Sequence, residues 1–233
     1  PFQIDLNVPK KKFTLYTDEM AEKPLEIKNQ YDVLKNVPIM LDLVEKNLVG
    51  VVGGLKKKGA VEVARIISAQ VAANNCYTDV KLGYIYDEAS SSDFEQWNFA
   101  RWLPHVWSED KKVRYIASTK EEASDVFYEL TKIFRERSES PKVRIKEIFP
   151  KPYYIIFVSN PEMLEGEPIS KYIYGRDKTF GLTTILLAER YEELPNDCDF
   201  IIENTVDFQG MYEVSDAQDE KQRITFDKID GDK

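Results

Sequence analysis

Apolar and polar residues alternate at the start of the chain, with Phe2, Ile4, Leu6 and Val8 set against Gln3, Asp5 and Asn7, the period-two pattern of a half-buried strand. From Phe13 to Val37 the pattern weakens, which predicts a loosely packed lead-in. Strand character resumes over Val37–Leu43, where Pro38 stands near the start and its missing amide is tolerated. Leu48–Val52 is a short β-branched run and predicts a buried strand. A Gly/Lys loop follows, and Val61, Ala64, Ile67 and Val71 then recur at helical spacing through about Ala73. Val80–Tyr86 is the next buried strand, giving a βαβ unit for which a right-handed crossover is the rule.

The aromatic stretch from Phe94 to Trp107 predicts a short helix and loop packed on the sheet edge. Ser118-Thr119-Lys120-Glu121 has the form of a capping box, and the helix it opens carries Ala123, Val126, Phe127, Leu130, Ile133 and Phe134 on one face. Further buried strands fall at Tyr153–Val158, Leu182–Ala188 and Phe200–Ile202. Around Gly210–Val214 and Arg223–Phe226 two strand-like pieces flank the polar segment from Ser215 to Gln222 and predict a terminal hairpin. Buried strands alternating with amphipathic helices define an α/β fold, a mostly parallel sheet covered on both faces. Residues 1–46 are expected to be a lead-in strand and linker packed on a core formed by residues 47–233.

Composition sharpens this picture. Among 233 residues, 42% are hydrophobic and 12% aromatic, enough to build a core and to exclude a wholly disordered chain. No apolar run approaches the roughly 18 residues that span a bilayer, and no basic region followed by an apolar run opens the chain, so a soluble piece is expected. With Pro1 first, the alternatives are a trimmed initiator Met and, the favoured expectation, a segment of a longer protein. Cys76 and Cys198 lie far apart without metal-ligand spacing, which predicts reduced thiols, no metal site and a cytosolic setting. The 41 acidic residues outnumber the 32 basic ones, and a net charge of −9 opposes binding to a nucleic-acid backbone. Lys10-Lys11-Lys12 and Lys56-Lys57-Lys58 are local exceptions, expected in solvated turns.

The candidate chemistry lies between the first buried strand and its helix. A phosphate loop needs glycines that bend backbone amides around the anion, a lysine for the β/γ-phosphates and a hydroxyl for magnesium. Gly54 and Gly59 have the required separation and context, but Ala60 and Val61 stand where the lysine and hydroxyl belong. At the tip of the strand Tyr153–Val158, where a carboxylate would hold magnesium, Ser159 and Asn160 are neutral. At about 1.5–3 kcal/mol per charge-assisted contact, these losses together remove about 4–7 kcal/mol, enough to move a micromolar site beyond millimolar. Tight nucleotide or magnesium binding is not expected. Lys57 or Lys58 swinging into the phosphate position would rescue it.

The segments "PFQIDL", "NVPIMLDLVEKNLVGVVG", "ARWLPHVW" and "KPYYIIFVSNPEMLEGEPISKYIY", in that order, closely resemble the first cytosolic ATPase-like domain of the FtsK/SpoIIIE-type membrane ATPases of type VII secretion, the EssC/EccC family. The resemblance covers nearly the whole chain. It implies a RecA-like (P-loop NTPase-like) sheet, with an added N-terminal strand and C-terminal hairpin, in a domain following a transmembrane region. It further implies neighbouring motor domains that use ATP and magnesium, a hexameric parent and contact with other components of the membrane complex. First domains of this family often depart from the phosphate-loop pattern, as Ala60 and Val61 do here. Family members often carry acidic residues at the position of Ser159 and Asn160. The expected role is a non-catalytic structural and coupling domain on the cytosolic side of the cell membrane. The rivals are an ATPase domain with an unconventional lysine and a docking module for other secretion components.

The remaining candidates have bland readings. His105, the sole histidine, has no Ser or Cys nucleophile with an ordered acidic partner near it and is expected to be structural. Trp97, Trp102 and Trp107, five apart, do not share a helical face; packing is the default and a partner surface the sharper reading. Asp87 and Glu88 end a strand on the usual ligand side and are expected to be solvated or paired with lysine. Arg190 suits an arginine finger across a subunit boundary or, more simply, a surface ion pair.

Overall fold

The computed structural model describes residues 2–3, 19–31, 33–34, 37–88, 95–139, 150–198, 200–214 and 221–226. The chain divides into two compact units, Pro1–Leu41 and Asp42–Lys233.

The first unit contains the strand β1 (Phe2–Gln3), the helix α1 (Glu19–Tyr31) and the strand β2 (Val33–Leu34). β1 pairs antiparallel with β2 as a separate two-stranded sheet. The rest of the predicted alternation, to Val8, lies outside the described residues, as do Lys10-Lys11-Lys12. The helix α1 was not legible in the sequence: it carries Pro24 inside it, and Leu25, Ile27 and Tyr31 are about half exposed. The strand predicted over Val37–Leu43 is not formed, and a turn occupies 43–45 instead. Asp42 explains the turn, since its carboxylate accepts from the amides of Val44 and Glu45 and its carbonyl from the amide of Lys46. A short acidic side chain folded onto its own backbone competes with a strand ladder.

The second unit is built on one eight-stranded sheet. Its elements in chain order are β3 (Leu48–Val52), α2 (Lys58–Asn74), β4 (Val80–Ile85), β5 (Ile116–Ala117), α3 (Lys120–Glu139), β6 (Tyr153–Val158), α4 (Ser170–Ile173), β7 (Leu182–Ala188), β8 (Phe200–Asn204), β9 (Gln209–Glu213) and β10 (Gln222–Arg223). The spatial order is β10-β9-β8-β3-β7-β6-β4-β5. The six strands from β8 to β5 run parallel, and β9 and β10 continue the sheet antiparallel as the predicted terminal hairpin. β3 and β4, consecutive in the chain, are thus separated by β7 and β6. β5 is a short edge strand that the sequence reading missed.

The central strands are buried on both faces, as parallel strands must be when helices cover them. On one face, Val52, Ile156, Val158 and Leu186 pack with Ala123, Val126, Phe127, Leu130 and Phe134 of α3. On the other, Trp97 packs with tilted rings against Tyr84 and Phe157, and Arg65 of α2 lies over the neighbouring Phe99 ring. The cap of α3 sits one residue later than the sequence suggested: Thr119 Oγ1 accepts from the Glu122 amide, and the Glu122 carboxylate accepts from the Ser118 amide and hydroxyl. Ser118 is buried in the sheet layer, which leaves Thr119 as the residue facing the helix amides. No described helix is long and apolar enough to cross a membrane.

Candidate functional site

From β3 the chain runs toward β4 and the β5 edge, returns through β6 and β7 and passes β3 to reach β8, so the connections leaving the neighbouring strands β3 and β8 run to opposite sides of the sheet. Such a switch point, outside the carboxyl ends of parallel strands, is where open α/β sheets take ligands. The glycine loop occupies it. Val52 pairs with Ala188 of β7 and Glu203 of β8, and Leu186 of β7 pairs with Val158 of β6, so the tips of these strands stand together below the loop.

The glycines answer to close packing. A Cβ on Gly53 would stand 1.9 Å from the Ala60 amide nitrogen, and one on Gly59 would stand 1.9 Å from the Asn204 carbonyl oxygen. Gly54 has φ +69° and open space around it, so its requirement is conformational. Lys56 (φ 55°) and Lys57 (φ 54°) are both left-handed without being glycine, at a cost of about 1–2 kcal/mol each. Asn204 holds the start of α2 from the β8 side: its Nδ2 donates to the Gly59 carbonyl at 3.1 Å, and its Oδ1 accepts from Gln209 Nε2 at 2.8 Å.

The loop amides are largely committed. Gly53 donates to the Ala188 carbonyl, Gly54 to the Glu189 carbonyl, Lys57 to Gly54 and Gly59 to Gly53. Lys58 donates to the Leu55 carbonyl. The Lys56 amide donates to the Glu189 carboxylate at 2.9 Å. The Glu189 amide in turn donates to the Glu193 carboxylate at 2.9 Å.

Each predicted site residue has a definite place. Ala60 and Val61 are buried in the first turn of α2, with 0% and 3% exposure. Gly59 is buried beside Asn204, and Lys58 is exposed at the head of the helix. Lys57 is half-buried, and its ammonium donates to the Ser159 carbonyl at 2.5 Å, joining the loop to the tip of β6. Asn160 caps the 3-10 turn Pro161–Leu164 by accepting from the Glu162 amide. The structure therefore brings together Gly54, Gly59, Lys57 and Ser159. The residues missed in sequence are Glu189, Glu193 and Asn204. Glu189 had a signal, an acidic residue directly after a buried strand, but on β7 rather than on β6.

The tryptophans separate. Trp97 is 1% exposed and belongs to the core, a correction to its place in a partner surface: it is the plug between Tyr84, Phe157 and Phe99. Trp107 is half-buried with Arg114 4.4 Å over its ring, and Trp102 is 85% exposed. His105 is buried, with Nε2 2.9 Å from the carbonyl of Asn75, the residue that ends α2. Glu88 accepts from the Ser118 hydroxyl at 2.9 Å and lies 3.8 Å from Arg101, an arginine in place of the expected lysine. Arg190 is exposed beside Glu189. Lys81 in β4 is 3% exposed and donates to the Trp107 carbonyl at 2.6 Å; burial holds its pKa below the usual lysine value. Cys76 is exposed, and the hydroxyl and amide of Thr78 lower its thiol pKa; Cys198 is buried, and neither forms a disulfide. Among the described residues, no cluster of three or more His, Cys, Asp or Glu side chains is arranged to hold a metal ion.

A mostly parallel sheet flanked by helices, with a glycine loop and helix at its switch point, defines an α/β domain of the fold seen in ATPase domains. By sequence the chain is similar to the type VII secretion proteins YukB and EssC. It is 25% identical over 201 residues to the ESX secretion system protein YukB of Bacillus subtilis, covering 83% of this chain and 12% of that protein. Against EssC of Staphylococcus aureus the identity is 19% over 201 residues, covering 85% of this chain and 13% of EssC. The chain thus spans about an eighth of the length of these relatives. In fold it is similar to ATPases 2 and 3 of EssC from Geobacillus thermodenitrificans, with a TM-score of 0.50 and 14% identity over 70% of this chain and 32% of that one. No family model matches the chain.

Proposed function

We propose that this chain is a non-catalytic, ATPase-like domain that serves a type VII secretion motor as a structural and coupling element. It would lie between the membrane region and the active ATPase domains of a longer, hexameric protein, on the cytosolic side. The observation that carries the reading is the burial of Ala60 and Val61, apolar side chains at the two positions where a nucleotide site needs an ammonium and a hydroxyl. The neutral tip of β6, where Asn160 caps the following 3-10 turn, supports it by offering no carboxylate for magnesium. Its partners on this reading are the neighbouring motor domains and subunits, and the net charge of −9 speaks against nucleic acid. ATP and magnesium would act in the other domains of the parent.

Calorimetry of the chain with magnesium-ATP tests this directly. A dissociation constant weaker than about 1 mM is expected, and micromolar binding would overturn the reading. The rival with a specific observation behind it is a nucleotide-binding domain in which Lys57, half-buried and directed at the tip of β6, supplies the missing cation. ATP turnover lost in Lys57→Ala would favour it. Docking of other secretion components through Trp102 is a further role compatible with the coupling function. Loss of capture on Trp102→Ala would establish it.

A further inference from the structure

The geometry points to an internal plug: the Glu189 side chain occupies the anion-binding face of the glycine loop and, with Lys57, latches that loop shut. The inference rests on the reading of this loop as a former phosphate site and says what now closes it. Glu189 meets the loop twice. Its carbonyl accepts from the Gly54 amide at 3.1 Å and its carboxylate from the Lys56 amide at 2.9 Å. A backbone amide in a glycine loop ahead of a helix is the kind of donor that would otherwise face phosphate oxygens. A carboxylate there satisfies the amide and adds a negative charge that repels an incoming phosphate. The Glu189 amide donates to the Glu193 carboxylate at 2.9 Å, which fixes the backbone from which the plug extends.

The second half of the latch comes from the opposite side. The Lys57 ammonium, one of the lysine cations of this loop, is spent on the Ser159 carbonyl at the tip of β6. Both contacts depend on Lys56 and Lys57 holding left-handed backbone conformations. An open loop therefore needs Glu189 to leave and Lys57 to release Ser159. The device is autoinhibitory: it keeps the loop's shape while denying its donors to a polyphosphate.

The test uses the 233-residue chain as wild type, Glu189→Ala and Glu189→Gln, with inorganic tripolyphosphate as probe in calorimetry and with amide hydrogen exchange read at Lys56. Removal of the carboxylate should speed exchange at Lys56 at least tenfold and tighten tripolyphosphate binding at least tenfold, with Glu189→Gln intermediate because its amide oxygen still accepts. Lys57→Met added to Glu189→Ala should abolish the gained binding, since the released ammonium is the cation that holds it. If Glu189→Ala fails to fold, the same comparison is made with Glu189→Gln alone. Unchanged exchange at Lys56, or no gain in tripolyphosphate affinity in either variant, overturns the plug. Those failures leave the non-catalytic reading standing, whereas micromolar magnesium-ATP binding by the wild type overturns that reading whatever the variants do.

Discussion

Gly59→Ala separates two opposing effects at the head of α2, and the structure fixes which one wins. Helix propensity alone favours alanine by about 1 kcal/mol inside a helix. The close approach of β8 opposes it: the new Cβ would start 1.9 Å from the Asn204 carbonyl oxygen, and reaching the 3.0 Å floor of real contacts requires α2 and β8 to part by about 1.1 Å. That movement stretches the 3.1 Å bond from Asn204 Nδ2 to the Gly59 carbonyl and the 2.9 Å bond from the Gly59 amide to Gly53. Each bond is worth about 0.5–1.5 kcal/mol net, and a buried group left without a partner costs about 1–3 kcal/mol. Asn204 is only 7% exposed, so water does not readily replace what it loses. The expected balance is a destabilisation of about 2–4 kcal/mol. Urea unfolding followed by far-ultraviolet circular dichroism should show the midpoint falling by about 1 M or more at an unchanged m-value. A variant as stable as the wild type, or more stable by the propensity gain, would refute the close approach and with it the clamp between the loop and β8.

The aromatic segment gives a second contrast. Trp97→Ala should cost about 3–5 kcal/mol because the ring is fully buried, whereas Trp102→Ala, 85% exposed, should stay within about 0.5 kcal/mol in the same urea assay. Thr119→Ala removes the acceptor of the Glu122 amide and should lower stability by about 1 kcal/mol, with Thr119→Ser recovering most of it. Alkaline pH should destabilise the fold: burial raises the pKa values of Tyr84, Tyr115, Tyr153, Tyr154 and Tyr174, and burial together with the Glu203 carboxylate pushes Tyr212 up to about 12. The unfolded chain then loses its phenolic protons first, near pH 10, so stability falls as pH rises from about 10 to 12. A thermal midpoint that stays flat across that window, or a slope no shallower in Tyr212→Phe, would contradict the burial of these hydroxyls.

Where a segment's own residues decide its structure, the sequence was sufficient. β3, β6 and β7 are mostly apolar runs buried on both faces, and the apolar positions of α3 from Ala123 to Phe134 are those that meet the sheet. What was not legible depends on partners remote in the chain or on local polar competition. α1 is polar and carries Pro24, so its helix has no apolar stripe to announce it. Val37–Leu43 has strand-like composition, but Asp42 turns the chain through its own carboxylate. The helix cap moved from Ser118 to Thr119 because Ser118 is drawn into the buried layer, where Glu88 and Glu122 both meet its hydroxyl. The order of the sheet was equally hidden: nothing in the β3–α2–β4 segment shows that β7 and β6 will come between its strands.

The candidate site divides along the same line, and the division bears on what a glycine spacing can mean. The outline Gly-x-x-x-x-Gly was legible, and its usual reading is that the backbone must approach a phosphate. Here the chain itself supplies the reasons for two of the three glycines around the loop. Gly53 is required by the amide of Ala60 and Gly59 by the carbonyl of Asn204, contacts that would be needed with no ligand at all. The remaining one, Gly54, needs only its positive φ. A loop can therefore keep its glycines for packing while its amides are turned to internal acceptors, and Glu189, lying 133 residues beyond Lys56, is one of those acceptors. Spacing reports the bend of the chain; only the partners of the amides report what the bend is for.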